Sequence, residues 1–289
     1  MTKLYTLLFV LFFGISLSAE NTTLTLSYDN FTFDNSKQKY EGQRFSAYGS
    51  YATNSNKLEA MYERAVTQTY QPPLDDDLKV NKYYLLYTHK LNKNNALLFE
   101  YIYVDDNIMI GGVNKYGKLL PKLDNTNIYA VGYRYKELQL VEYFSDYKNF
   151  DVYQSDIKYK IKHKFEGFNA NMVLIGKYIH IADKENEIAL KNALSNYYTA
   201  GAKVHAAFGS YHFGAAALFG KRLFGIMFDG FRVQHHPMEI DRTYMAGVGK
   251  HFENFELHAK YVYQRAKEVP LNNENVIIQN IILNATYHF

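Results

Sequence analysis

The chain ends on a segment whose chemistry repeats every two residues. Phe289, Tyr287, Ala285, Leu283 and Ile281 fall on one side of an extended backbone, and His288, Thr286, Asn284 and Asn280 on the other, with Ile282 the exception. Side chains of a strand alternate between its faces, so this segment presents one apolar side and one wet side.

The same rhythm runs upstream. Alternating runs stand at 22–33, 43–52, 58–69, 80–90, 96–105, 125–136 and 138–144, then at 152–163, 168–181, 195–207, 211–219, 241–251 and 257–263. The connections alternate in length. Tight polar turns at 53–56, 91–95, 136–137, 164–167, 208–210 and 252–255 are of the kind that close hairpins. Longer stretches at 34–42, 71–77, 106–124, 145–151, 182–194, 221–240 and 266–275 lie between them. Pro72 and Pro73 would break a ladder in the second of these. With the terminal segment, the pattern predicts an all-β chain of about fourteen antiparallel strands, with twelve or sixteen as the neighbouring even counts. Strands of about ten residues are long enough to cross a bilayer at a tilt near 45°. An even count with both ends on the short-turn side lets the sheet close without an exposed edge, which lipid would forbid.

Composition agrees. The chain has 28 Tyr and 20 Phe, and a ring with a polar tip suits the boundary between lipid and water. It has no Cys, so no disulfide framework supports the fold. Mean hydropathy is −0.33, which does not argue against a membrane, because only alternate barrel residues face lipid. A formal charge of +3 gives no warrant for nucleic-acid binding.

At the start, Lys3 precedes an apolar stretch at 4–15 and the small-residue sequence Ser16-Leu17-Ser18-Ala19. This is the layout of an export signal, too short to span a membrane as a helix. Cleavage is expected after Ala19 or Ser18, which divides the chain into a signal peptide at 1–19 and a barrel at 20–289. An export signal followed by strands that end on an aromatic residue resembles the bacterial outer-membrane β-barrels, and among them the small porins. That resemblance implies a location in the outer membrane, contact with its lipid, and passive diffusion of small polar solutes. It also implies that Tyr287 and Phe289 form the tag read by the barrel-assembly machinery. It leaves monomer and trimer both open; the alternative readings are a non-conducting structural or surface-interaction barrel and, behind it, an outer-membrane barrel enzyme of the phospholipase or protease kind.

If tyrosines and aliphatics mark the outward face, the inward residues follow from the two-residue period. They include Glu59, Glu63 and Glu100 on the third and fifth strands and Arg134 on the sixth. Lys158, Lys160, Lys177 and Lys203 follow on the eighth to tenth. Acidic and basic groups on facing walls would set up a transverse field across a wet lumen and shape its selectivity. A lumen of this strand number is expected to be open unless a loop folds inward; 106–124 and 221–240 are the candidates. The second carries His235-His236, a weak pattern for metal binding or pH sensing. No cofactor or metal site is expected. No enzyme is expected either: Phe208-Gly209-Ser210-Tyr211 lacks the second glycine of a nucleophile elbow, and Gly111-Gly112 lacks the spacing of a phosphate loop.

Overall fold

The computed structural model of the protein describes residues 22–71, 74, 76–107 and 125–289. The expected signal at 1–19, Pro72, Pro73 and most of the 106–124 loop lie outside the described residues. Alternation carried along the chain closes into one ring of fourteen antiparallel strands. In chain order these begin with β1 (Thr22–Asp34), β2 (Lys39–Ala52), β3 (Asn56–Thr69), β4 (Leu78–Lys90) and β5 (Asn95–Asp106). The ring continues through β6 (Thr126–Tyr135), β7 (Leu138–Asp146), β8 (Asp151–Phe165), β9 (Phe168–Ala182), β10 (Asn196–Phe208) and β11 (Tyr211–Arg222). Between β11 and the next ring strand lies a separate small hairpin, β12 (Ile226–Met227) and β13 (Arg232–Val233). The ring resumes with β14 (Met238–Phe252), β15 (Phe255–Glu268) and β16 (Asn273–His288). At the seam β1 pairs with β16, with Leu24 opposite Tyr287, Leu26 opposite Ala285 and Tyr28 opposite Leu283. Among the described residues the ring leaves no strand edge unpaired, as a sheet surrounded by hydrocarbon requires.

The outer face is the apolar one. Leu26, Phe45, Phe99, Val131, Ile157, Phe213, Val248 and Ile281 are among its exposed large side chains. Tyrosines border it, and their hydroxyls find partners on neighbouring strands. Tyr62 donates to Asn81 at 3.0 Å, Tyr87 to Asn56 at 2.7 Å, Tyr101 to Asn127 at 2.9 Å and Tyr178 to Asn196 at 2.7 Å. The rings can therefore meet lipid while each hydroxyl stays satisfied. At the short-turn end Phe168 stacks on Phe165 and on Phe208, each at 4.5 Å between ring centres.

The ring strands run from nine to sixteen residues, several longer than the ten expected. The additional pairing lies mostly at the long-loop end, where it leaves short connections at 35–38, 147–150 and 269–272. Past the lipid band the ladder still satisfies backbone groups best, so pairing continues. Among the described residues no helix is long and apolar enough to cross a membrane. The long-loop end is capped by a hydrophobic cluster that includes Leu78, Tyr147, Phe150, Leu190, Phe224 and Val269.

Candidate functional site

The lumen is not uniformly wet. On β4 to β7 the inward positions are largely apolar: Leu86, Leu98, Ile102, Val104, Ile128 and Val141 form one buried cluster. These strands therefore carry apolar residues on both faces, and what covers the inner face is the segment between β11 and β14. Residues 223–237 turn into the barrel instead of standing above it. The β12–β13 hairpin packs Ile226, Phe231 and Val233 against the apolar wall. Phe231 lies between Tyr48 and Tyr84, with ring centres 5.2 and 5.1 Å away.

Polar groups from distant strands then tie the hairpin backbone. Lys82, 1% exposed, donates to the Phe231 carbonyl at 2.8 Å, and the Tyr84 hydroxyl donates to the Asp229 carbonyl at 3.0 Å. On β8 and β9, Gln154 both donates to the Ile226 carbonyl and accepts from its N–H, each at 2.8 Å, and Lys177 reaches the same carbonyl at 2.8 Å. Arg232 contacts Asp29 of β1 at 2.9 Å. Strands β1 and β8 lie on opposite sides of the ring. The hairpin thus spans the lumen and is held at both walls.

Its tip is strained. Phe228, Asp229 and Gly230 all have left-handed backbone, with φ of 55°, 57° and 82°. A left-handed non-glycine residue costs roughly 1–2 kcal/mol, so the wall contacts must offset that strain. At Gly230 a side chain must displace its neighbours: a Cβ would overlap the Glu100 carboxylate and lie 2.5 Å from Tyr84 Cε2.

The expected lumen charges sort into three groups around this hairpin. Lys158 and Lys177 meet at its tip, Lys158 pairing with Asp229 and Lys177 with Asp156. Burial opposes the Asp229 charge, but Lys158, Lys177 and Lys203 outweigh it and hold the carboxyl below its usual range. Glu100 is buried beside the tip, and its Oε1 has no hydrogen-bond partner. On the other side Glu63 lies 3.4 Å from both Arg44 and Lys82, while Glu59 accepts from the Tyr48 hydroxyl at 2.6 Å. Lys203 lines the cavity below Phe228, its Nζ 6.0 Å from the ring centre. Arg134 and Lys160 lie nearer the short turns: Arg134 is opposite Gln139, whose amide donates to Asp229 Oδ1 at 3.2 Å, and the Lys160 N–H bonds the Glu137 carbonyl. Acidic and basic walls are therefore not cleanly separated, because Arg44, Lys82 and Arg232 neutralise the acidic side. Tyr287 and Phe289 point outward, their rings 4.8 Å apart in an edge-on contact.

What sequence reasoning missed is the set of partners: Asp29, Arg44, Lys82, Gln154, Asp156, Asp229 and Arg232. The Asp229-Gly230 pair between Phe228 and Phe231 is the signal that could have located the hairpin, since Asp-Gly between apolar residues marks a tight reversal. The adjacent histidines diverge. His235 pairs with Asp106 and stacks on Tyr147, whereas His236 faces the cavity near Lys39 and Arg44. Dense surroundings, and then the charges of Lys39, His235 and Arg44, push the His236 imidazole well below its usual range.

Beside the hairpin the lumen keeps a cavity of about 550 Å³ along β1–β3 and β14–β16. Its lining mixes Asp29, Arg44 and Lys260 with Phe31, Met61 and Ile278, and Ile282, the exception to the terminal alternation, also faces it. A closed ring with an apolar, tyrosine-bordered exterior and charges inside is a transmembrane β-barrel. It has the fold of bacterial outer-membrane barrels, as comparison with solved structures shows. The outer membrane protein Omp33 of Acinetobacter baumannii superimposes with a TM-score of 0.50 at 11% identity, over 94% of this chain and 100% of that one. The Ralstonia pickettii toluene transporter TbuX gives 0.58 at 8% identity, covering 94% and 90%. A Pseudomonas aeruginosa FadL homologue gives 0.54 at 10% identity, covering 93% and 90%. No family model matches the sequence, and no curated protein does.

Proposed function

We propose that the protein is an outer-membrane channel through which small polar solutes diffuse passively, with the 223–237 segment as its gate. The observation that carries this reading is the strained hairpin laid across the lumen, packed on the apolar wall through Ile226, Phe231 and Val233 and tied at both walls by polar contacts. Such an element has two arrangements, docked on the wall or released, and a solute that favours the second shifts the balance. Fourteen strands lie toward the end of the barrel series that leaves an aqueous path once nothing fills it. Lumen lysines give the path its ion preference: Lys203 and Lys260 line the cavity, and among the described residues neither has a carboxylate within ion-pair distance. The terminal strand, with Tyr287 and Phe289 turned to lipid, serves as the signal for the assembly machinery in the same proposal.

A second reading, a non-conducting barrel, is favoured by the apolar cap over the long-loop end. Planar-bilayer recording of the refolded mature chain separates the two. Stepwise currents, blocked by polymers above a sharp size limit, support the channel. Silence from both the wild type and variants with a loosened hairpin supports the closed barrel.

A further inference from the structure

Away from the hairpin, at the short-turn end of the lumen, three neighbouring strands bring histidines around one carboxylate. Glu256 on β15 lies directly opposite His251 on β14, and His288 stands diagonally across from it on β16. His251 Nδ1 is 3.1 Å from Glu256 Oε1, and His288 Nε2 is 3.7 Å from the same oxygen. One donor atom from each of the three residues can be chosen so that all lie within 4.8 Å of one another. His258 Nε2 donates to the other carboxylate oxygen at 3.2 Å. We infer that His251, Glu256 and His288 form a binding site for a divalent first-row transition cation, with zinc as the representative.

The chemistry of the donors sets the class of ion. Two imidazoles and a carboxylate suit zinc, copper, nickel or iron, whereas calcium and magnesium take oxygen donors. Zinc bonds nitrogen and oxygen at about 2.0–2.2 Å, so donors around a tetrahedral ion lie roughly 3.4 Å apart. The 3.1 and 3.7 Å separations bracket that spacing. The His288 ring is part-exposed, but its Nε2 is turned inward at the carboxylate, too far at 3.7 Å for a hydrogen bond and with no other hydrogen-bond partner among the described residues. A polar nitrogen turned from water without a hydrogen bond is poorly satisfied, and a cation between it and Glu256 would satisfy both.

The scaffold is rigid and the surroundings are shaped for the ring that orients Glu256. The backbone N–H of His251 bonds the Ser210 carbonyl, and that of His288 bonds the Asn254 carbonyl, each at 2.8 Å. Gly249 lies opposite His258, and a Cβ there would come within 2.4 Å of His258 Nδ1. The glycine therefore leaves room for the imidazole, which acts as a positioning residue for the carboxylate. Three ligands leave at least one coordination position open toward the lumen. On binding, His251 Nδ1 gives up its proton, to its own Nε2 when the ring is neutral and to solvent when it is an imidazolium, because the metal takes the Nδ1 lone pair.

The test is calorimetric titration of zinc chloride into the full refolded chain, carrying no affinity tag and with its fold verified by heat-modifiable gel mobility. Saturable binding of one ion per chain is expected. H251A and H288A should each weaken it at least tenfold and E256Q similarly, while H89A, on the opposite outer face, leaves it unchanged. Cobalt in place of zinc gives a second readout, with visible absorption bands of low coordination number that vanish in the H251A/H288A double variant. Absence of saturable binding to the wild type, or binding and cobalt bands that survive the double variant, would overturn the assignment. Channel activity enters neither readout, so the site stands or falls independently of the gating proposal.

Discussion

Gly230 offers the sharpest handle on the hairpin. Its φ of 82° lies where an L side chain costs about 1–2 kcal/mol. A Cβ there would also overlap Glu100 Oε1 at 1.9 Å and Tyr84 Cε2 at 2.5 Å, an overpacking typically worth a further 1–3 kcal/mol. Both costs fall on the docked arrangement alone, because a released hairpin can relax its dihedrals and clears the wall. Taking about 3 kcal/mol for G230A, and about 1.4 kcal/mol per factor of ten, the docked-to-released ratio drops on the order of 100-fold. Single-channel recording in planar bilayers reads this as open probability, which should rise by that order with unitary conductance unchanged. G225A is the matched control: its Cβ would meet Ile179 Cδ1 at 3.3 Å, Arg222 Cδ at 3.5 Å and Gln234 Oε1 at 3.7 Å, none of them an overlap, and a far smaller change is expected. Equal open probability in G230A and wild type, with folding verified by gel mobility, would refute the reasoning.

Two further outcomes follow from the same contacts. Acid should release the hairpin. The docked His236 is held well below the usual histidine value of 6.5, so the released state takes up more protons as pH falls below that value. Asp229, held below the usual 3.8, adds to this in strong acid, its stabilising charge being lost as pH falls through its lowered value. Open probability should therefore climb from pH 7 toward pH 5, a climb that H236N removes; a flat profile would contradict it. K203Q/K260Q should move the reversal potential in a salt gradient toward cation preference, since it deletes lumen charges that have no carboxylate within ion-pair distance among the described residues. An unchanged reversal potential would show that these lysines lie off the ion path.

Most of the ring could be read in the sequence because one physical rule governs it. Wherever lipid meets a strand, every second residue must be apolar, so Phe45, Val131, Ile157 and Leu283 declared their face unaided. The rule fails on β4 to β7, where Leu98, Ile102 and Val104 alternate with Phe99, Tyr101 and Tyr103 and both faces are apolar. Alternation cannot say that one of those faces awaits a hairpin. Nor can it pair residues remote in sequence: Asp29 and Arg232 are separated by 203 positions, and only the closed ring brings them together. What the inward set lacked was its counter-charges. Lys158 and Lys177 looked like a bare basic wall until Asp156, on the same face, and Asp229, on an apparent surface loop, supplied their counter-charges.

As a gate, the hairpin must block the lumen until it leaves the wall. The chain has no cysteine, so a Y48C/F231C pair, whose parent rings lie 5.2 Å apart, can be bridged by a short bifunctional thiol reagent and released by reductant. Current through one reconstituted channel, followed through bridging and reduction, tests the claim directly. Openings should cease on bridging and return on reduction; openings that persist unchanged while the bridge is intact would contradict it.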